Sequence, residues 1–184
     1  MELRSVEALM NLLYACRGTV TAPDGHGGGV DAHEHALRTA ALLRRRHPAD
    51  KELQVAGLVQ GIGPMLGTGT RRDAKESAAL AAEAVRGLLG ERVSRLVRQH
   101  TAAPGHLLDE DALSLRQAAE EARTHALCAG GVGVLEDWRT VLELVAARNS
   151  RPAESGWRDV RDVWYERCRL RPDRRAHPAQ TVHR

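Results

Sequence analysis

Apolar residues recur at intervals of three and four along most of this 184-residue chain, and that spacing is the strongest constraint on its fold. The first such run places Val6, Leu9, Met10 and Leu13 on one helical face, with Ser5 positioned to cap the helix. No stretch alternates apolar and polar residues in the manner of a half-buried strand. The spacing therefore predicts an all-α protein.

Capping residues and helix breakers divide the chain into segments. Asp31 and Asp50 are positioned to cap the second and third helices, which Pro48 separates, and Gly90 separates two later ones. The third helix is apolar on nearly every side, so we expect it to be the buried central helix. The predicted helices run from Ser5 to near Gly18 and over residues 31–47, 50–62, 74–89, 91–101, 110–128 and 135–149.

The length and the mass of 20.1 kDa fit one ordinary domain. We expect a helical bundle over residues 1–151, a further helix over 152–171 and a disordered tail over 172–184. The further helix carries an apolar stripe that must be buried against another surface. It is expected to be either a lid over the bundle or the seam of a homodimer. The residues of this stripe are Trp157, Val160, Trp164 and Cys168.

Composition excludes several classes of partner and location. The net charge is only +3, and acidic residues are interspersed with arginine along the predicted helices, so no nucleic-acid partner is expected. No apolar run approaches the ~20 residues that cross a bilayer, and the amino terminus lacks a signal-peptide pattern. Cys16, Cys128 and Cys168 form no CxxC pair, which favours reduced thiols. We therefore expect a cytoplasmic protein without a membrane partner.

Several predicted helices carry polar side chains on their inward faces. These residues are His35, Gln60, His100 and His125. On the second helix the same periodicity turns His33 and Arg38 toward solvent. A single inward histidine or glutamine is usually a hydrogen-bonded core residue. Four that converge favour a functional pocket, because burial of polar groups is costly unless they are paired or used.

Two segments resemble HD-domain proteins. The segment EHALRTAALLRRRHPADKELQVAGLVQGIGPML resembles the opening of such proteins, where a His on one helix precedes a His-Asp pair in an apolar LLHDIGH-like segment. The segment LLGERVSRLVRQHTAAPGHLL resembles part of the HD-fold di-iron oxygenases that cleave organophosphonates, relatives of inositol oxygenase. CAGG at 128–131 resembles their QGG. The resemblance runs from about Val6 to Asn149 and implies a single HD-domain-like helical bundle.

Carried across by position, the resemblance keeps two of the family's metal ligands, His35 and His100. The family's His-Asp pair falls at Gln60 and Gly61, and glycine has no side chain that could bridge two metal ions. The remaining ligand positions fall at Pro64, near Ser77 with Lys75 and Glu76 as alternatives, and near Arg148 and Asn149. The resemblance therefore implies a bundle that has lost its di-metal site and uses no cofactor.

The family's substrate-binding positions have changed as well. Its Lys and Tyr fall at Pro104 and His106, the Gln of QGG falls at Ala129, and an upstream Ser falls near His125. A phosphonate pocket needs several donors and cations, so phosphonate oxidation does not carry over. Arg148 places a cation where the family has its late Asp, and it either holds an anionic group of a ligand or is a solvated residue at a helix end.

Three functions remain open at this point. The favoured one is a metal-independent enzyme in which His35 and His100 act as general base and general acid on a small, anionic or neutral metabolite, by isomerisation, elimination, cyclisation or hydrolysis. Its substrate-binding residues would be Gln60, His106, His125 and Arg148. The second is a non-catalytic pseudoenzyme that binds a ligand or a partner protein. The third is a metal-dependent HD hydrolase or oxygenase with an unusual ligand set.

Overall fold

A computed structural model describes residues 2–20, 29–67, 73–101, 109–124 and 133–150. Within these ranges the regular structure is helical, apart from one isolated bridge between Val20 and Asp31, so the predicted all-α class is confirmed. Residues Met1–Ser150 form one compact unit. The α-helices are α1 Val6–Ala15, α2 Ala32–Arg46, α3 Lys51–Val59, α4 Gly63–Leu66, α5 Ala74–Leu89, α6 Glu91–Gln99, α7 Glu110–Thr124 and α8 Arg139–Ser150, with a 3-10 helix, Leu135–Trp138, before α8.

The predicted helix caps are present. Oγ of Ser5 accepts a hydrogen bond from the backbone N–H of Ala8, and the carboxylate of Asp31 accepts one from Glu34. Asp50 accepts in the same way from Leu53 at the start of α3. Each cap provides an acceptor for a first-turn N–H that has no partner within its helix.

Some helix ends differ from the predicted ones. α1 ends at Ala15 and α3 at Val59, each about three residues earlier than the apolar pattern suggested. The short α4 was not predicted, because glycine and proline surround it in the sequence. Its Pro64 occupies the first turn, where a missing N–H costs nothing. The predicted helix at 152–171 and the tail at 172–184 lie outside the described residues. No helix within the described ranges has the length and apolar character needed to cross a membrane.

α3 is the central helix, as predicted. Every residue from Leu53 to Val59 is buried, and the helix packs against α2, α6, α7 and α8. Gly57 allows the close approach to α2, since a Cβ there would lie only 2.6 Å from Cδ1 of Leu43. The core around α3 is closed by large apolar side chains such as Leu9, Leu96 and Trp138.

An ion-pair network joins the starts of three helices. The guanidinium of Arg92 on α6 binds Asp50 at 2.6 Å, Glu52 at 2.9 Å and Asp111 at 2.8 Å. The hydrogen bond from Arg92 holds the pKa of Asp50 below its usual value. α3 and α6 therefore begin together. Gln60 follows the last residue of α3, and His100 follows the last residue of α6.

The prediction that His33 and Arg38 face solvent is wrong. They are only 6% and 7% exposed. His33 donates from Nδ1 to the carbonyl of Leu13 at 2.8 Å and stacks on Tyr14, while Arg38 pairs with Glu34. Ten of the fifteen α2 residues are buried, since α3 and α7 pack along it and His33 contacts α1. A helix covered on several sides has no single buried stripe.

Gly61 and Gly63 provide a matched test of the packing around α4. A Cβ on Gly63 would overlap the backbone carbonyl of Ser77 on α5, whereas a Cβ on Gly61 would meet nothing within 4 Å. We expect Gly63→Ala to lower the free energy of unfolding by about 1–3 kcal/mol, and Gly61→Ala to change it by less than about 1 kcal/mol. Chemical denaturation of both variants measures this. Equal effects would contradict the described contact between α4 and α5.

Candidate functional site

His35 lies in the first turn of α2 and is 7% exposed. Its Nε2 donates a hydrogen bond of 3.0 Å to the backbone carbonyl of Ala119 on α7. A carbonyl can only accept, so the proton of the neutral ring is on Nε2 and the lone pair is on Nδ1. Burial lowers the pKa of His35, and the bond to Ala119 partly opposes this. The charges of Arg123 and Arg38 lower the pKa further, while the charge of Glu120 raises it.

His100 follows directly after α6, with its ring held by the same helix. Its Nδ1 donates to the carbonyl of Val97 at 2.6 Å, so the lone pair of the neutral ring is on Nε2. Burial is the main cause that lowers the pKa of His100, with the bond to Val97 acting in the opposite direction. The positive charges of Arg123, His35 and Arg116 lower it further.

The two histidines share one electrostatic environment. The charge of a protonated His35 disfavours protonation of His100, and Arg123 acts on both rings. His35 and His100, which sequence analysis selected as base and acid, are therefore close enough for their charges to interact. The pKa of each ring is lowered, which favours the neutral state. The nitrogen that makes no hydrogen bond to the backbone then carries a lone pair in place of a proton.

Gln60 joins this group through Thr39. Oγ1 of Thr39 donates to the carbonyl of His35 at 2.8 Å and accepts a hydrogen bond from Nε2 of Gln60 at 3.2 Å. Because the Thr39 proton is already used, only the NH₂ group of Gln60 can make this contact, which fixes the orientation of the amide. Oε1 of Gln60 remains as an acceptor. Sequence analysis did not single out Thr39; its position one turn after His35 was the available signal.

Two further polar atoms beside His100 were not predicted. Oε1 of Gln99 and Oγ1 of Thr101 are buried and have no hydrogen-bond partner in the described part of the chain. Gln99 is the last residue of α6 and Thr101 the second residue beyond it. Buried polar atoms without partners are uncommon in folded proteins, so such atoms indicate a place where a ligand or water binds.

The structure does not bring Arg148 to the histidines. Arg148 is exposed in the last turn of α8. The neighbouring Asn149 donates to the carbonyl of Leu89 at 2.7 Å and lies against Gly90, at the start of α6. His100 is at the other end of α6, about 15 Å away. The two remaining predicted substrate-binding residues, His106 and His125, lie outside the described residues.

Neither a metal cluster nor a reactive thiol is evident in the described ranges. They contain no group of three or more His, Cys, Asp or Glu placed to hold a metal ion. Cys16 is buried in the core, and burial with the nearby charge of Asp31 raises the pKa of its thiol to about 11. A thiol with that pKa is almost wholly protonated at neutral pH and is a poor nucleophile.

No family model and no curated protein matches this chain. The resemblance to HD-domain proteins therefore stays a prediction. The residues that could carry a function in the described ranges are His35, Gln60, His100, Gln99 and Thr101.

The lowered pKa values of both histidines predict a loss of stability in mild acid. The unfolded chain takes up protons as pH falls through the ordinary value of 6.5, whereas the folded chain resists protonation to lower pH. The contribution of these histidines to the free energy of unfolding should therefore be full above pH 6.5 and should be lost as pH falls below 6.5. His35→Gln with His100→Asn keeps one donor at each ring position and should flatten this dependence.

Urea denaturation at several pH values measures the effect. The depressed pKa of Asp50 affects stability only below its ordinary value of 3.8, so it does not overlap this range. An equal pH dependence in the wild-type protein and the double variant would show that these histidines are not the cause.

Proposed function

We propose that the protein is an enzyme that transfers a proton on a small substrate, with the imidazoles of His35 and His100 as the proton-transfer groups. One observation carries this proposal. The buried imidazole of His35 and the half-buried imidazole of His100 both have lowered pKa values, and each is held by a backbone carbonyl at one ring nitrogen, which leaves the lone pair of the neutral ring on the other. This arrangement suits general-base catalysis at neutral pH.

The pair carries one proton at a time. A substrate proton can move to Nδ1 of His35 or to Nε2 of His100, and the bonds to Ala119 and Val97 still hold each ring once it is charged. Protonation of His35 disfavours protonation of His100. The imidazolium formed in the first step is therefore the acid that returns the proton, to a different atom in an isomerisation or to a leaving group in an elimination.

Gln60 is oriented by Thr39. One N–H of its NH₂ group is bonded to Thr39, so Gln60 offers its oxygen and its second N–H to the substrate. We assign it the orientation of a substrate hydroxyl or N–H group next to His35. The hydrogen bond from Thr39 to the His35 carbonyl links this oxygen to the turn that carries the base.

Arginines near the histidines take the place that the sequence assigned to Arg148. Positive charge from Arg123 acts on both rings, that of Arg38 acts on His35, and that of Arg116 acts on His100. Negative charge develops on a substrate as its proton leaves. The positive charge of these arginines, which Glu34 and Glu120 partly offset, stabilises that charge in the transition state.

Deuterium incorporation tests the proposal without a known substrate. The full-length protein is incubated in D₂O with a mixture of cellular metabolites, and mass spectrometry detects compounds that gain deuterium or change mass. We expect at least one such compound. His35→Gln and His100→Asn should each slow its labelling by about 10²–10⁴-fold, because the base is lost while the ring's hydrogen-bond donor is replaced.

Arg148→Gln is the matched control and should label at the wild-type rate, since Arg148 lies away from the histidines. Labelling that survives both histidine substitutions would overturn the proposal. A complete lack of protein-dependent change would favour the non-catalytic alternative. Activity that disappears on chelation and returns with a transition metal would favour the metal-dependent one.

A further inference from the structure

We propose that Thr39 is a positioning residue of this site and that it acts on the substrate through the amide of Gln60. The inference rests on the proposed function for the contact between Gln60 and the substrate. It goes beyond that function because it makes the direction of the amide depend on one hydroxyl group of another helix. Thr39 lies in the middle of α2, one turn after His35.

Helix formation does not account for a threonine at this position. Thr39 is fully buried, and it is followed by Ala40 and Ala41, which are buried without a polar group. Threonine forms helices less readily than alanine, and a hydroxyl removed from water needs a partner. The bond of 2.8 Å to the carbonyl of His35 uses the proton of this hydroxyl and leaves its lone pairs. Gln60 binds the hydroxyl at those lone pairs.

The close approach of α2 and α3 brings Gln60 to Thr39. Gly57 lies about one turn before Gln60 on α3. A Cβ on Gly57 would be only 3.3 Å from the methyl carbon of Thr39 and 3.4 Å from the backbone nitrogen of Ala40. Because glycine leaves this space open, the two backbones come together and Nε2 of Gln60 reaches Oγ1 of Thr39 at 3.2 Å.

The bond to Thr39 determines which atoms Gln60 presents elsewhere. If the amide turned over, Oε1 of Gln60 would face the oxygen of Thr39, whose proton is on the His35 carbonyl, and two sets of lone pairs would oppose each other. Gln60 is buried, so water offers little compensation for the lost bond. Thr39 therefore holds one N–H and leaves Oε1 and the second N–H for the substrate. Without the hydroxyl, both orientations of the amide become accessible.

Two substitutions of Thr39 separate positioning from packing. Thr39→Val keeps the branched shape and loses the hydroxyl, whereas Thr39→Ser keeps the hydroxyl and loses the methyl group. If Thr39 only filled the space beside Gly57, serine would be the harmful residue, because it leaves a cavity. Since Thr39 positions Gln60, we expect valine to be the harmful residue for the reaction.

Side-chain ¹H–¹⁵N NMR of Gln60 in the full chain tests the contact itself. The two N–H protons are assigned with Gln60→Met, and their signals are compared in the wild-type protein, Thr39→Ser and Thr39→Val. We expect valine to move one of the two proton signals much more than the other, and serine to leave both near their wild-type positions. An unchanged pair of signals in the valine variant would overturn the inference.

Labelling of the metabolite mixture in D₂O tests the role in the reaction. Thr39→Val should slow the labelling by about two- to tenfold, which corresponds to one hydrogen bond, and Thr39→Ser should restore most of the rate. Gln60→Met should slow it at least as much as Thr39→Val. Since Thr39 acts through Gln60, the double variant should match Gln60→Met alone within about twofold.

Thr124→Val is the matched control and should label at the wild-type rate. The Thr124 hydroxyl also bonds a carbonyl of its own helix, that of Glu121 at 3.0 Å, at the exposed end of α7. A double variant slowed by the product of the two single effects would overturn the inference, as would a serine variant slower than the valine variant. If the wild-type protein labels nothing, the proposed function fails, and the Gln60 signals alone decide whether Thr39 orients the amide.

Discussion

The contacts of Arg92 set the alignment on which the rest of this bundle depends. One partly buried guanidinium joins the starts of α3, α6 and α7 by bonds to Asp50, Glu52 and Asp111. Since several carboxylates share one fixed guanidinium, the network is more stabilising than an isolated surface pair. Gln60 and His100 follow the opposite ends of α3 and α6. The ion-pair network and these two candidate residues are therefore at opposite ends of the helices.

Backbone carbonyls determine what the two histidines can do. Burial alone would only keep an imidazole neutral, without deciding which nitrogen holds the proton. The carbonyls of Ala119 and Val97 decide it, on Nε2 for His35 and on Nδ1 for His100. Thr39 has the same effect on the Gln60 amide. The site therefore presents one oriented acceptor on each ring, held by main-chain carbonyls, and an amide oriented by the Thr39 side chain.

Sequence patterns predicted much of the fold and part of the site. Helix period and capping identified the all-α class, the caps at Asp31 and Asp50, and the central position of α3, because these depend on local chemistry. They also put His35 and Gln60 on inward faces. The buried side of α2 at His33 was missed, since it depends on α1. The separation of Arg148 from His100 depends on where α8 meets the start of α6, which no local pattern contains.

The central claim is that His35 and His100 are both neutral at pH 7 with opposite tautomers. Long-range ¹H–¹⁵N correlation NMR of the imidazole rings, assigned with His35→Gln and His100→Asn, tests it most directly. The account predicts a pyrrole-type, protonated nitrogen at Nε2 of His35 and at Nδ1 of His100, with a pyridine-type nitrogen at the other position of each ring. Two imidazolium rings at pH 7, or the same tautomer in both, would contradict it.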